Sequence, residues 1–449
     1  MRIEVNVRRT LAHLGATLCM LGCAHPTARS APVEGDATAV GAAHAIALVN
    51  GNWLIGDRVV ARTRYIVDGA LAERAGTRPD STIDLGNGFV IPPFGEAHNH
   101  NVEGSSRVDA LIARYLRDGV FYVENPNVLP RGRAALAGKV NVPNGVDVVF
   151  ANGGLTGSGG HPLELVRRNI GRGIWTDADG EGAFYWTIDN RDDLERKWPA
   201  IVAQHPDFIK VYLLYSEQYG QRASDSAAFG WRGLDPALLP EIVRHAHDAS
   251  LRVVAHIETA ADFRNAVAAG VDQVAHMPGF RGDEHVQLPD AAPYTLTEAD
   301  ARDAARRGVV VATTLGGAAE IDPAGADSLT RRALDALNRR NLATLRRAGV
   351  TLALGSDSYR DDSKAEAAYL HGLGAFSDAE LVKLWAYDTP RAIFPTRAIG
   401  GLAAGSEASF LVLACNPFTS FACTDSIRLR VKDGRVLTLP GAPAPPAAR

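Results

Sequence analysis

The chain holds 449 residues, with 47 Lys or Arg set against 51 Asp or Glu. That length exceeds one small core and suits a large domain with a smaller one attached. The near balance of charge speaks against a nucleic-acid-binding surface, and the apolar share of 46% is ordinary for a globular protein.

Residues 1–23 read as an export signal. Arg2, Arg8 and Arg9 give a basic start, and Leu11 to Leu21 is apolar but too short to span a bilayer. The stretch ends in Met20-Leu21-Gly22-Cys23, which resembles the lipobox of bacterial lipoproteins, with Met20 where Leu is usual. This reading makes the protein periplasmic or membrane-anchored, touching a membrane only through lipid on Cys23. The alternative is an ordinary signal peptide with an incidental Cys. Residues 24–44 are rich in Ala, Pro, Gly and Thr and read as a flexible tether.

Short β-type runs follow, at Ala45-Leu48, Arg58-Val60, Tyr65-Val67 and Phe89-Ile91, punctuated by Gly. The pattern returns at Ser409-Leu413, Ile427-Val431 and Arg435-Thr438, with Asp433-Gly434 as a hairpin turn. Residues 45–91 and 396–439 are therefore expected to form one small β-sandwich domain from both chain ends. Residues 440–449 are Pro/Ala-rich and read as a disordered tail.

Residues 92–395 alternate strand-like with helix-like runs. Eight strands are expected, at Phe89-Pro92, Val120-Val123, Val146-Ala151, Phe208-Leu213, Arg252-Ile257, Gln273-Met277, Val309-Thr313 and Thr351-Gly355. The fold class is thus α/β, a (β/α)8 TIM-like barrel with the β-domain attached. Helix signals sit between the strands. Asp235 caps a helix with Pro236 in its first turn, Asp262 opens one that Gly270 closes, and Thr297/Asp300 and Ser377/Glu380 form capping boxes. Cys415 and Cys423 stand close in sequence, and an oxidising compartment would let them pair; two separate thiols are the alternative.

Metal-type residues end several of these strands. His98-Asn99-His100 lies just past strand one, and in extended backbone both imidazoles share a face. Lys210 sits in the apolar run Phe208-Ile209-Lys210-Val211, where an ammonium is costly unless used. His256 ends strand five, His276 strand six and Asp357 strand eight. Barrel enzymes carry their catalytic groups at the C-terminal ends of strands, so the ordered set outweighs the bland reading of each member as a satisfied polar group.

Pro92-Pro93-Phe94-Gly95-Glu96-Ala97-His98-Asn99-His100 resembles the motif Pro-Gly-Phe-Ile-Asp-x-His-x-His of the metal-dependent amidohydrolase superfamily. Ile209-Lys210, the His256 and His276 segments and Gly355-Ser356-Asp357 are similar to its later motifs, and Gly159-Gly160-His161 resembles a Gly-Gly-His of its dipeptidase-like branch. The resemblance is to the branch near imidazolonepropionase and the Xaa-Pro-dipeptidase-like enzymes, and it spans roughly residues 45–438. It departs at Pro93 for Gly and at Glu96 for Asp. It implies two divalent metal ions, zinc by the donor chemistry, bridged by carboxylated Lys210. His98, His100 and Asp357 would hold one ion and His256 and His276 the other. It implies hydrolysis of an amide or peptide bond, or of a lactone or ester, by metal-activated hydroxide, with Asp357 as the catalytic proton shuttle.

The substrate is expected to be a small molecule, bound by His161, Tyr212, Glu258 and Arg281, with Tyr215 and Tyr219 near the pocket. Glu258 either faces the pocket or caps the helix near Asp262. His245 and His247 read as solvated, and Glu103 and Asp361 as surface charges. A homo-oligomer is compatible with the composition, and no nucleic-acid partner is expected. A deaminase of the same superfamily is a competing reading, although those using one metal carry His-x-x-Glu where this chain has His256-Ile257-Glu258. A non-catalytic binding lipoprotein is another; it would have no need of Lys210 or Asp357.

Overall fold

A computed structural model describes residues 44–279, 291–316 and 329–439. The signal, nearly all of the tether, Arg281 and the C-terminal tail lie outside the described residues. In chain order the strands are β1 (Ala45–Ile55), β2 (Arg58–Val67), β3 (Ala70–Ala72), β4 (Ser81–Asp84), β5 (Phe89–Ile91), β6 (Phe94–Glu96), β7 (Val120–Asn125), β8 (Asp147–Phe150) and β9 (Gly154–Thr156). They continue as β10 (Tyr185–Thr187), β11 (Phe208–Tyr212), β12 (Arg252–His256), β13 (Gln273–Ala275), β14 (Val310–Ala312), β15 (Thr351–Ala353), β16 (Phe410–Leu413), β17 (Ile427–Lys432) and β18 (Arg435–Val436).

Both chain ends enter one mixed sheet, in the order β18-β17-β16-β5-β1-β2-β3, with β4 paired to β1. The ends meet where β5 runs antiparallel to β16, with Val90 opposite Val412. A side chain at Gly88 would meet Val412 Cγ1 at 2.3 Å, so only Gly allows this approach. Trp53 packs on Phe410 with ring centroids 5.7 Å apart, amid Leu48, Ile66 and Val431. The strand path through both chain ends is continuous. Asp433 and Gly434 turn β17 into β18 with φ of 50° and 75°, the doubly left-handed geometry of a tight hairpin.

The remaining strands are all parallel and form two sheets, β6-β7-β8 and β10-β9-β11-β12-β13-β14-β15. Backbone bonds link their edges: Ala97 N–H donates to Leu354 O at 2.7 Å, and Asp207 N–H to Phe150 O at 2.7 Å. The sequence reading placed Phe89-Ile91 in the end domain and also took Phe89-Pro92 as the first parallel strand; Phe89–Ile91 pairs within the end sheet. Pro92 and Pro93 cannot donate to a ladder, so the run breaks there and the first strand of the three-stranded sheet is Phe94–Glu96. The short strands β9 and β10 were missed because three residues carry too little periodicity to see.

Alternation along the strands decides what faces the interior. Ile209, Val211, Val253, Ala255 and Val274 join the large core, whereas Phe208, Val254 and Ala275 form a separate cluster with Ala151. Lys210 and Tyr212 share the face of Phe208, and His256 shares that of Val254. The register pairs Lys210 with Val254 and Tyr212 with His256. Helices connect the strands. Asp235 caps the turn that leads into Leu239–Asp248, and the boxes at Thr297/Asp300 and Ser377/Glu380 form. The helix Ala260–Ala269 is opened by Thr259, not Asp262; Asp262 is the third helical residue and closes a capping box with it.

Candidate active site

Glu96 ends β6 wholly buried, and burial raises its carboxyl well above the usual range. It accepts from Ser356 N–H at 2.8 Å and Ser356 Oγ at 2.9 Å, so the longer side chain reaches the segment after β15. Asp357 N–H donates to His98 O at 2.8 Å across the same seam. These bonds bring the ends of β6 and β15 together. Asp357 Oδ1 then lies 3.5 Å from His98 Nε2 and 3.4 Å from His100 Nε2, and Oδ2 lies 3.9 Å from His276 Nδ1. His98 and His100 achieve this on a bend, not on the extended backbone that the sequence suggested.

His276 and His256 follow β13 and end β12, with ring centroids 4.5 Å apart; His276 is 4.6 Å from His98. The chain turns sharply at both metal-type ends: φ is 79° at His276 and 49° at Asp357, left-handed conformations that cost roughly 1–3 kcal/mol for residues with a side chain. Lys210 is 2% exposed, with Nζ 5.5 Å from the Tyr212 ring centre. Burial first, then the Lys210 charge, lowers His98 to about 3, so its imidazole is neutral and has a lone pair to give.

Partners on the far ring nitrogens orient several imidazoles. His100 Nδ1 meets Glu103 Oε1 at 3.0 Å, and His276 Nδ1 meets Thr314 Oγ1 at 2.7 Å. Such partners on one ring nitrogen are typical of metal-binding His. Glu103 is therefore no surface charge but half-buried beside His100, its carboxyl raised by burial. Asp361 pairs with Arg114 at 2.5 Å, and its carbonyl accepts from Asn99 and Asn101, so it too is structural.

His161 is buried and stacks on His256 at 5.2 Å, with Nδ1 2.5 Å from Glu164 Oε1. Tyr212 is edge-on to His161 at 5.2 Å, and its hydroxyl accepts from Asn127 at 3.0 Å. Glu258 turns its carboxylate to His256 Nε2 at 3.2 Å, so its side chain does not cap the following helix. That task falls to Thr259 and Asp262. Tyr215 is buried beneath Arg222 at 3.9 Å, and Tyr219 lines a cavity of about 230 Å³ with Ser158, Asp189 and Arg232. His247 is 45% exposed and bonds Asp272, whereas His245 is not solvated but packs on Trp198 near Glu195. Arg281 lies outside the described residues.

Donor atoms of His98, His276 and Asp357 all fall within 4.8 Å of one another. Two imidazoles, that of His98 neutral, and a carboxylate at that spacing suit a divalent ion, zinc above all. The sequence reading put His276 with His256; here it also adjoins Asp357. That reading missed Glu103, Glu164, Thr314 and Tyr359. Two of these carry a local signal, since Glu103 and Glu164 each stand three residues after a site His.

Parallel strands thus bring buried His98, His256 and His276, part-buried Asp357 and mid-strand Lys210 toward one end of the sheets, the edge at which barrel enzymes carry their catalytic groups. The sequence profile described as "Amidohydrolase family" matches residues 208–438, a little over half of the chain, and the chain belongs to that family. It is an enzyme of the amidohydrolase class, whose members generally bind metal ions. No curated protein sequence matches it. Among solved structures, ochratoxinase of A. niger is similar with a TM-score of 0.67 at 18% identity, over 89% of this chain and 96% of that one. A Xaa-Pro dipeptidase with bound methionine in its active site gives 0.64 at 16% identity, over 87% and 99%. Molinate hydrolase gives 0.63 at 16% identity, over 90% and 97%. At such identities the likeness is one of fold.

Proposed function

We propose that the chain is an exported, metal-dependent hydrolase that cleaves an amide or peptide bond in a small substrate, with lactone or ester hydrolysis as the second activity of the same site. The carrying observation is the convergence of His98, His276 and Asp357 within 4.8 Å, with His100 and His256 adjoining. We read β6, β7, β8, β11, β12, β13, β14 and β15 as the wall of one (β/α)8 barrel, on the strength of their parallel pairing and the bonds at Ala97 and Asp207. Two zinc ions would be held by the four His and Asp357, with Lys210 carboxylated between them. Bound divalent ions polarise a scissile carbonyl and acidify water. Asp357 takes the proton of the attacking water and returns it to the leaving amine.

His161, stacked on His256, is assigned to a substrate carbonyl or carboxylate, Tyr212 shapes the same wall, and Arg281 is assigned to an anionic substrate group. Glu258 disfavours a substrate carboxylate beside His256 and favours an amine or other donor. Tyr359 stacks on His100 at 5.3 Å yet is 59% exposed, which suits a rim contact for an apolar substrate group. Export is supported by residues 1–23 and by the Cys415–Cys423 disulfide, which an oxidising compartment would maintain, and Met20-Leu21-Gly22-Cys23 supports lipid on Cys23.

A panel of N-acyl amino acids, dipeptides and lactones tests this reading on the zinc-loaded protein. Hydrolysis should disappear with a chelator and return with zinc. Asp357→Asn should keep zinc and lose about 100-fold or more in kcat. Glu258→Gln should gain on acid-terminated dipeptides relative to neutral amides; equal ratios would leave Glu258 no part in selectivity. Chelator-resistant turnover would refute the metal-dependent mechanism.

A further inference from the structure

Glu366 is fully buried on the helix Ser363–Leu373, and the proposed reaction has no use for it. Its carboxylate crosses to the turn that leaves β14. Oε1 accepts from Thr313 Oγ1 at 2.5 Å, and Oε2 accepts from Gly316 N–H. Leu315 N–H is a further donor. The approach is close: a side chain on Gly316 would meet Glu366 Oε2 at 3.0 Å and Cα at 3.2 Å.

Thr314 lies between these anchors with φ of 49°, a left-handed conformation that a β-branched residue resists unless its neighbours are fixed. Its Oγ1 is the atom 2.7 Å from His276 Nδ1. The hydroxyl can donate to Nδ1 or accept from it, and either bond fixes the direction in which the ring faces. We propose that Glu366 is a positioning residue, which holds the Thr313–Gly316 turn so that Thr314 sets the ring orientation of His276. Glu366 thereby ties the turn after β14 to the helix that follows Asp357, and the two strand ends keep their spacing. The inference rests on the reading of His276 as a metal ligand.

Zinc affinity of the full chain, measured by competition with a chromophoric chelator, tests it without turnover. Thr314→Val and Glu366→Leu should each weaken zinc binding by about 10- to 100-fold, as expected for groups that orient a metal-bound His. Thr314→Ser retains the hydroxyl. Glu366→Gln offers an oxygen to Gly316 N–H and an NH2 to Thr313 Oγ1. Both should stay within about threefold of the parent protein, a loss below that of removing an orienting group. His276→Ala separates the two levels of the argument. If it binds zinc as the parent does, His276 is no ligand and the underlying reading fails. If it loses zinc while folded Thr314→Val and Glu366→Leu keep the parent affinity, the positioning role alone is overturned. Should Glu366→Leu not fold, Thr313→Val removes one donor at constant volume and must weaken zinc binding in its place.

Discussion

Burial raises the Glu366 carboxyl from 4.5 to about 7, which gives this single residue a readable pH signature. The folded chain holds that proton more tightly than the unfolded chain. Glu366 therefore contributes stability below about pH 4.5 that is lost as pH rises through about 7, at most about 3 kcal/mol. Unfolding free energies of the parent and Glu366→Gln, compared from pH 5 to 8, should show the parent losing ground up to about pH 7 and holding level above it. A parent that gains ground with rising pH would contradict the assignment. At this scale the site residues were partly legible. His98, His100, Lys210, His256, His276 and Asp357 stand out because each is a metal-type or charged group at or in an apolar strand. Thr314 and Glu366 gave no such signal, since a hydroxyl or carboxylate in a loop or helix reads alike whether it faces water or a group tens of residues away.

Among elements, Asp262 illustrates what a capping motif hides. The sequence marks it as a helix start. In the fold it is buried and accepts from Tyr215, Ser216, Glu258 and Thr259 N–H, so one carboxylate fixes the turns after both β11 and β12. Asp262→Ala would leave four buried donors unsatisfied and should destabilise by about 3 kcal/mol or more, measurable by urea unfolding. A loss below about 1 kcal/mol would mean that water replaces the carboxylate. The strand positions were legible where an apolar run was long enough, as in β11 and β12, and Lys210 stood out as a charge inside one run and His256 as the end of the other. The first parallel strand was misplaced because Phe89-Val90-Ile91 is an apolar run, whereas Phe94-Gly95-Glu96, with Gly and Glu, gives little strand signal and is recognised only by its pairing.

Across the molecule, the end sheet and the parallel strands share a buried ion network. Lys432 on β17 is 1% exposed and bonds Asp147 at the start of β8 at 2.8 Å; Arg397 bonds the other Asp147 oxygen at 2.8 Å and also pairs with Glu407. Asp147→Ala would leave buried Lys432 with Asp433 at 3.3 Å and the Val142 carbonyl alone, and should cost about 1–3 kcal/mol, seen as a lowered unfolding midpoint. An unchanged midpoint would show that the network is dispensable. No sequence pattern announces this contact, because its members are separated by hundreds of residues and are ordinary charges locally. The same long-range closure brings His98 and Asp357 to one point, and the metal centre stands or falls with it. Metal content per chain in the parent protein and in Lys210→Ala, measured together with kcat, is the most direct test. The account predicts two divalent ions in the parent, and loss of both metal and turnover by orders of magnitude in Lys210→Ala. Full metal occupancy with parent-like turnover in Lys210→Ala would contradict it.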